Sequence, residues 1–203
     1  MIHFPIIDLD ETMLQSTLLT IALAFSSVDS FSTITQAERI SSSVLHSTAT
    51  TTLVGEVDTE EAFKASTFPI APYDLILRAK EVLGPKIGIG TQDDGACIAD
   101  DFEFVAPVVG PLPKEDYLGA LASFQLTDSF NIQQNFFGFI VDPLQPNRVY
   151  FFSRQEAKHT GTFAGVEPTG KELILPPQCH HIDFNEDGLI KEFGFYTVDR
   201  RQG

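Results

Sequence analysis

Apolar residues recur at helical spacing early in this chain and at alternating spacing through its second half. In APYDLILRAKEVL, residues 71–83, Leu75, Ile76, Ala79, Val82 and Leu83 fall on one helical face. Pro72 suits the first turn of that helix, and Gly84-Pro85 stops it. After the Gly-rich stretch IGIGTQDDG, residues 96–101 read as a short second helix. Residues 102–109 then alternate toward Gly110-Pro111 as a first strand. KEDYLGALASF, residues 114–124, predicts a third helix with Tyr117, Leu118 and Leu121 facing inward. Four strand segments follow, at 132–141, 149–163, 172–184 and 189–199. Their turns are DPLQPN at 142–147, Pro-Thr-Gly-Lys at 168–171 and the Asp187-Gly188 hairpin. Helices followed by a long meander make an α+β pattern.

Strand parity sorts the polar residues of this meander. Tyr150, Phe152, Arg154, Glu156 and Lys158 share one face; Phe151, Ser153, Gln155, Ala157 and His159 share the other. Arg154 and His159 therefore face one pocket only if a bulge intervenes. Cys179-His180-His181 invites a metal reading, but adjacent strand residues point to opposite faces, so the three cannot ligate one ion without a bend.

The first 63 residues are of different composition. Arg39 is the only Lys or Arg before Phe63, and residues 40–55 carry no charge and are dominated by Ser and Thr. Such a tract buries too little apolar surface to offset chain entropy, which predicts disorder. Upstream, LLTIALAF at 18–25 is too short to span a bilayer and matches the apolar region of a signal peptide. With a start at Met13 and small residues up to Ser30 before Phe31, the segment resembles the signal-plus-transit leader of plastid proteins. Residues 1–63 are thus expected to be a targeting leader, with plastid delivery; the alternatives are a disordered tail or mis-started frame on a secreted or cytoplasmic protein.

The formal charge of −15 argues against nucleic acid and anionic membranes as partners, because no basic stripe neutralises phosphates. Cys97 and Cys179 form no CxxC pattern and are expected as buried free thiols. Of 18 Phe, 13 lie between Phe102 and Phe195, which suits a dry core or an apolar pocket. Asp8-x-Asp10-x-Thr12 matches the nucleophile signature of haloacid-dehalogenase-like phosphatases, but a Ser/Thr-rich tract stands where that fold needs strands and helices. Residues 183–194, DFNEDGLIKEFG, match much of an EF-hand loop yet end in Gly194 where a bidentate Glu belongs, so a turn between strands explains them without a metal.

Two stretches carry a family resemblance: DDFEFVAPVVGPLPKEDYL at 100–118 and HTGTFAGVEPTGKEL at 159–173. With the order of helices and strands, they resemble the SnoaL-like, polyketide cyclase-like branch of the nuclear transport factor 2-like superfamily. The resemblance implies a cone-shaped curved antiparallel sheet with about three N-terminal helices enclosing an apolar pocket, built from residues 64–203. It implies a small apolar ligand, no cofactor and no metal, no membrane span in the mature domain, and a homodimer formed through the open sheet face. The chemistry it implies is cofactor-independent cyclisation or isomerisation by pocket groups whose pKa values desolvation shifts. Where steroid isomerase-like members carry a catalytic Asp, before the Pro that follows the first strand, this chain has Ala106. The cyclase pattern puts a general acid late in the last strand, near Asp199, and a His on the adjoining strand, a slot that falls at Phe184 here with His181 three residues earlier; His159, in the strand before a Thr-Gly step, is the first candidate and His181 the second. Tyr150, Arg154, Phe193 and Tyr196 are the expected ligand-binding residues. The plainer readings are a sheet-edge His159 bonded to backbone, a solvated Asp199 beside Arg200 and Arg201, and Arg154 paired with Glu156. A non-catalytic ligand carrier or dimerisation module of the same fold is the competing function, and Ala106 favours it.

Overall fold

A computed structural model describes residues 53–198, apart from 108, 125 and 164. The leader, the Asp8/Asp10 motif, most of the Ser/Thr tract and Asp199 lie outside the described residues. The chain is α+β. Helix α1 (Thr59–Ala65) is capped by Asp58, whose carboxylate accepts from the Glu61 N–H, and Phe63 packs partly buried against the main core. Helix α2 (Pro72–Leu83) begins at Pro72 and buries Leu75, Ala79 and Val82 completely. Their spacing is the i, i+4, i+7 stripe read from the sequence.

Residues 96–101 do not form the expected second helix. Strand β1 (Ile98–Val105) starts there and buries Ile98, Ala99, Phe102 and Phe104. Cys97 O accepts from the Ile190 N–H, so a distant strand fixes the extended backbone of this short, ambiguous run. Next come β2 (Leu112–Pro113), α3 (Lys114–Phe124), α4 (Leu126–Ser129), β3 (Phe130–Gln133), β4 (Phe136–Val141) and β5 (Arg148–Ser153). Then follow β6 (Glu156–His159), β7 (Glu172–Ile174), β8 (Gln178–Phe184) and β9 (Ile190–Thr197).

Six strands form the larger sheet in the order β2-β1-β9-β8-β5-β4, and β3-β6-β7 form a second. The larger sheet is mixed rather than wholly antiparallel, because β1 and β9 run parallel. β1 reaches β9 through the whole intervening chain, so no tight turn imposes the antiparallel sense.

Three of the four expected strand segments are broken in two. Asn135, at φ 49°, interrupts the first, and its side chain donates to Arg154 O. Arg154 and Gln155 separate β5 from β6, and Pro176-Pro177, which have no N–H to donate, separate β7 from β8. In register these breaks align: Ser153 pairs with Phe136 and Gln178, while Glu156 pairs with Gln133 and Ile174. They form one crease across the meander, with a sheet on either side. The main core joins α2 to the inner face through Phe102, Phe104, Phe151, Ile182 and Phe193. Beyond the crease lies a smaller cluster of Phe130, Ile132, Ala157 and Leu175.

Candidate functional site

The inner face crosses the crease without losing its parity. Val149, Phe151, Ser153, Gln155, Ala157 and His159 are all buried, while Arg154 between them is exposed. On β8 the residues of the same face are Gln178, His180, Ile182 and Phe184. The two apolar clusters are thus divided by a polar seam of Ser153, Gln155, Gln178 and His180, none more than 1% exposed. Ser153 lies directly opposite Gln178, and Phe151 opposite His180.

Only part of the seam's hydrogen-bonding capacity is filled by the protein. Ser153 Oγ lies 2.8 Å from His180 Nε2, and Gln155 Nε2 donates to Gln134 Oε1 at 2.6 Å. His180 Nδ1, Gln155 Oε1 and both polar atoms of the Gln178 amide have no protein partner. An unfilled buried donor or acceptor costs about 1–3 kcal/mol, so four at one place call for a partner from outside the chain, a buried water or a ligand.

Aromatic rings surround the seam's imidazole. His180 stacks on Phe151 at 4.9 Å and 6°, lies parallel to Phe193 at 6.2 Å, and meets Phe136 edge-on at 6.1 Å. Burial, helped by neighbouring His181, pushes the His180 pKa down to about 3, so the ring is neutral at physiological pH. A neutral imidazole offers one donor and one acceptor. Together with a carboxamide and a hydroxyl it makes an uncharged polar layer buried among phenyl rings.

The residues singled out from sequence are spread over three environments. Phe193 lies on the inner face beside His180. His159 shares that parity but lies past the seam, in the smaller sheet. Its Nδ1 is 3.1 Å from Thr169 Oγ1 and accepts from the Thr169 N–H, and its ring stacks on Phe130. Arg154 is exposed. His181, Tyr150 and Tyr196 are on the outer face, where the two tyrosine rings lie 6.3 and 6.2 Å from the imidazole.

The outer face holds an ion-pair network. His181 Nε2 is 2.7 Å from Glu192 Oε1, which also accepts from Arg148 Nη2 at 3.0 Å. Arg148 donates twice to Asp183, at 2.5 and 2.7 Å, and Gln145 donates to the same carboxylate. Burial lowers the His181 pKa against the opposing hydrogen bond to Glu192, while the hydrogen bond to Asp183 raises that of Arg148. Ligand atoms of His181, Asp183 and Glu192 lie within 4.8 Å of one another, but the Arg148 guanidinium already occupies both carboxylates. This is an ion-pair network and not a cation seat. In the EF-hand-like stretch, Asn185 Oδ1 accepts from the Asp187 and Leu189 N–H groups and closes the β8–β9 turn.

Sequence reasoning missed Ser153, Gln155, Gln178 and His180 as a group. Two signals pointed to them: the parity that aligned Ser153 and Gln155 with Phe151, and the alternation that put His180 opposite in sense to His181. The second half of the seam, from β8, joins the first only through strand register.

No family model and no curated protein matches the sequence. Many solved structures do match, and SnoaL-like polyketide cyclases are prominent among them. One is a proposed SnoaL-like polyketide cyclase from Jannaschia sp. CCS1, at 16% identity and TM-score 0.47, covering 66% of this chain and 89% of that one. Another is IdmH, a proposed polyketide cyclase from Streptomyces antibioticus, at 20% identity and TM-score 0.44, covering 61% and 89%. An LEH-like epoxide hydrolase from M. tuberculosis matches at 10% identity and TM-score 0.42, covering 62% and 83%. None of them assigns a role to a residue here.

Proposed function

We propose that this chain is a SnoaL-like small-molecule-binding protein whose ligand seats against the Ser153–Gln178–His180 seam. The observation that carries this reading is the unmet hydrogen-bonding capacity of completely buried side chains between two apolar clusters. Binding sites for small molecules combine apolar walls with a few fixed polar groups, and the seam has that composition. It favours a mainly apolar ligand with one polar edge.

The same geometry favours binding over proton transfer. A histidine held at about 3 is a weak base at neutral pH. Among the described residues, Asp183 is the only buried carboxylate, and Arg148 holds it on the outer face. Cyclase or isomerase chemistry would need an acid from elsewhere, and Asp199 is the residue to test by Asp199→Asn.

Native mass spectrometry of the full chain, after exposure to an extract of its source cells, tests the binding reading. The expected result is a retained small molecule that His180→Phe no longer holds. A chain that stays empty across extracts of differing polarity overturns it.

We also propose that two copies meet through the outer sheet face. Phe137, Ile140 and Tyr196 stand there 46%, 56% and 51% exposed, an unusual grouping of large apolar side chains for a surface of this acidity.

A further inference from the structure

The unpaired atoms of the seam, on Gln155, Gln178 and His180, are sealed from solvent in side chains only 1% exposed. A water or a ligand reaches them only if the chain changes shape, and the crease is where it can bend. The joints of the crease are Asn135 at φ 49°, Arg154 with Gln155, and Pro176-Pro177, which have no N–H to lose. Hinges are built from a few strand-terminal residues of this kind.

Rotation about this line breaks little. Hydrogen bonds between antiparallel strands run perpendicular to the strands, and hence along the crease. Three of them lie on it: Arg154 N–H to Asn135 O, Asn135 Nδ2 to Arg154 O, and Leu175 N–H to Gln155 O. These join neighbouring strands side by side and turn with the joints rather than part. Apolar packing does not bridge the line either, because the cluster of Phe130, Ile132, Ala157 and Leu175 shares no residue with the main core. The smaller sheet is held together by its own register, with Ala157 opposite both Ile132 and Leu173. On the other side of the crease, the Val198 N–H fixes Pro177 O to the end of β9.

Closed, the seam leaves polar atoms with neither protein nor water as a partner, at a cost in free energy. A small opening along the crease hydrates them while both apolar clusters stay packed. Going beyond the binding reading above, we infer that β3-β6-β7 is a flap hinged at Asn135, Arg154-Gln155 and Pro176-Pro177, closed in this structure, whose opening admits solvent or a ligand to the seam. Gln178, with two unpaired atoms next to the hinge line, sets the balance between the two states.

Methyl relaxation dispersion on the full chain tests this, because it detects a minor state formed in microseconds to milliseconds. The methyls of Ile132, Ala157 and Leu175 are expected to exchange at one common rate, while those of Leu75 and Val82 in α2 stay silent. In Gln178→Leu, and in Gln178→Met as a variant of closer length, the open population falls at least about five-fold, because two unfilled polar atoms no longer oppose closure. Hydrogen exchange on the same chain separates a swinging flap from a melting one: the β6 amides paired with β3 stay protected while the methyls exchange. Silence of the three flap methyls, an open population unchanged in both variants, or loss of β6 protection at the methyl exchange rate overturns the flap. The binding reading is decided separately, since a chain that retains no small molecule overturns that reading and leaves the flap standing.

Discussion

His180 lies among phenyl rings with no counter-charge at hand, and its neutrality has a consequence for stability. The unfolded chain protonates this residue near 6.5, whereas in the folded protein the value is pushed down to about 3. A depressed folded pKa means stability that is fully present above about 6.5 and is lost as pH falls toward 3. Within that window the loss approaches roughly 1.4 kcal/mol per pH unit. His181, lowered in the same direction, adds to the upper part of the window. Urea unfolding from pH 7 downward therefore shows falling stability in the wild-type chain and a distinctly shallower fall in His180→Gln. An unchanged slope in that variant would contradict a buried neutral imidazole. On the outer face, Arg148→Met leaves Asp183 buried without its ion-pair partner and with the Gln145 amide as its remaining side-chain donor, a loss of about 3 kcal/mol. Asp183→Asn in the same chain removes the stranded charge and restores much of that stability.

At the scale of elements, alternation was legible and bending was not. The 149–159 parity and the α2 stripe follow from periods of 2.0 and 3.6, which single segments carry by themselves. The crease depends on Asn135, Arg154 and Pro176-Pro177 falling in line, and they fall in line only once β4, β5 and β8 are in register. For the same reason the start of β1 reads as a helix from sequence: its partner β9 lies at the far end of the chain. Gly194 marks how closely those two strands approach. A β-carbon there would stand 2.7 Å from both Val105 O and Val105 Cγ2, and against the His181 ring. Gly194→Ala is accordingly expected to lower stability by about 1–3 kcal/mol. Gly119→Ala, in α3 and with nothing within 4 Å of the new methyl, is expected to raise it slightly. Paired thermal melts decide this, and equal melting temperatures would show that the β1–β9 contact yields freely.

For the whole molecule, one chain presents two surfaces of opposite kind. Its inner face is apolar and divided by an uncharged seam; its outer face carries a neutralising ion-pair network fringed by exposed aromatics. If the outer face joins two copies, Phe137→Glu with Tyr196→Glu shifts sedimentation from dimer to monomer; a wild-type chain that sediments as a monomer contradicts the dimer. The acid proposed from sequence at Asp199 lies outside the described residues, and the seam is built around His180, while His159, whose Nε2 is also buried without a protein partner, lies past it. Nitrogen-15 NMR of the five histidines, followed against pH, tests that assignment most directly. The prediction is one imidazole, absent in His180→Gln, that stays neutral to about pH 4. A His180 that titrates near 6.5 would contradict a neutral imidazole buried at the seam.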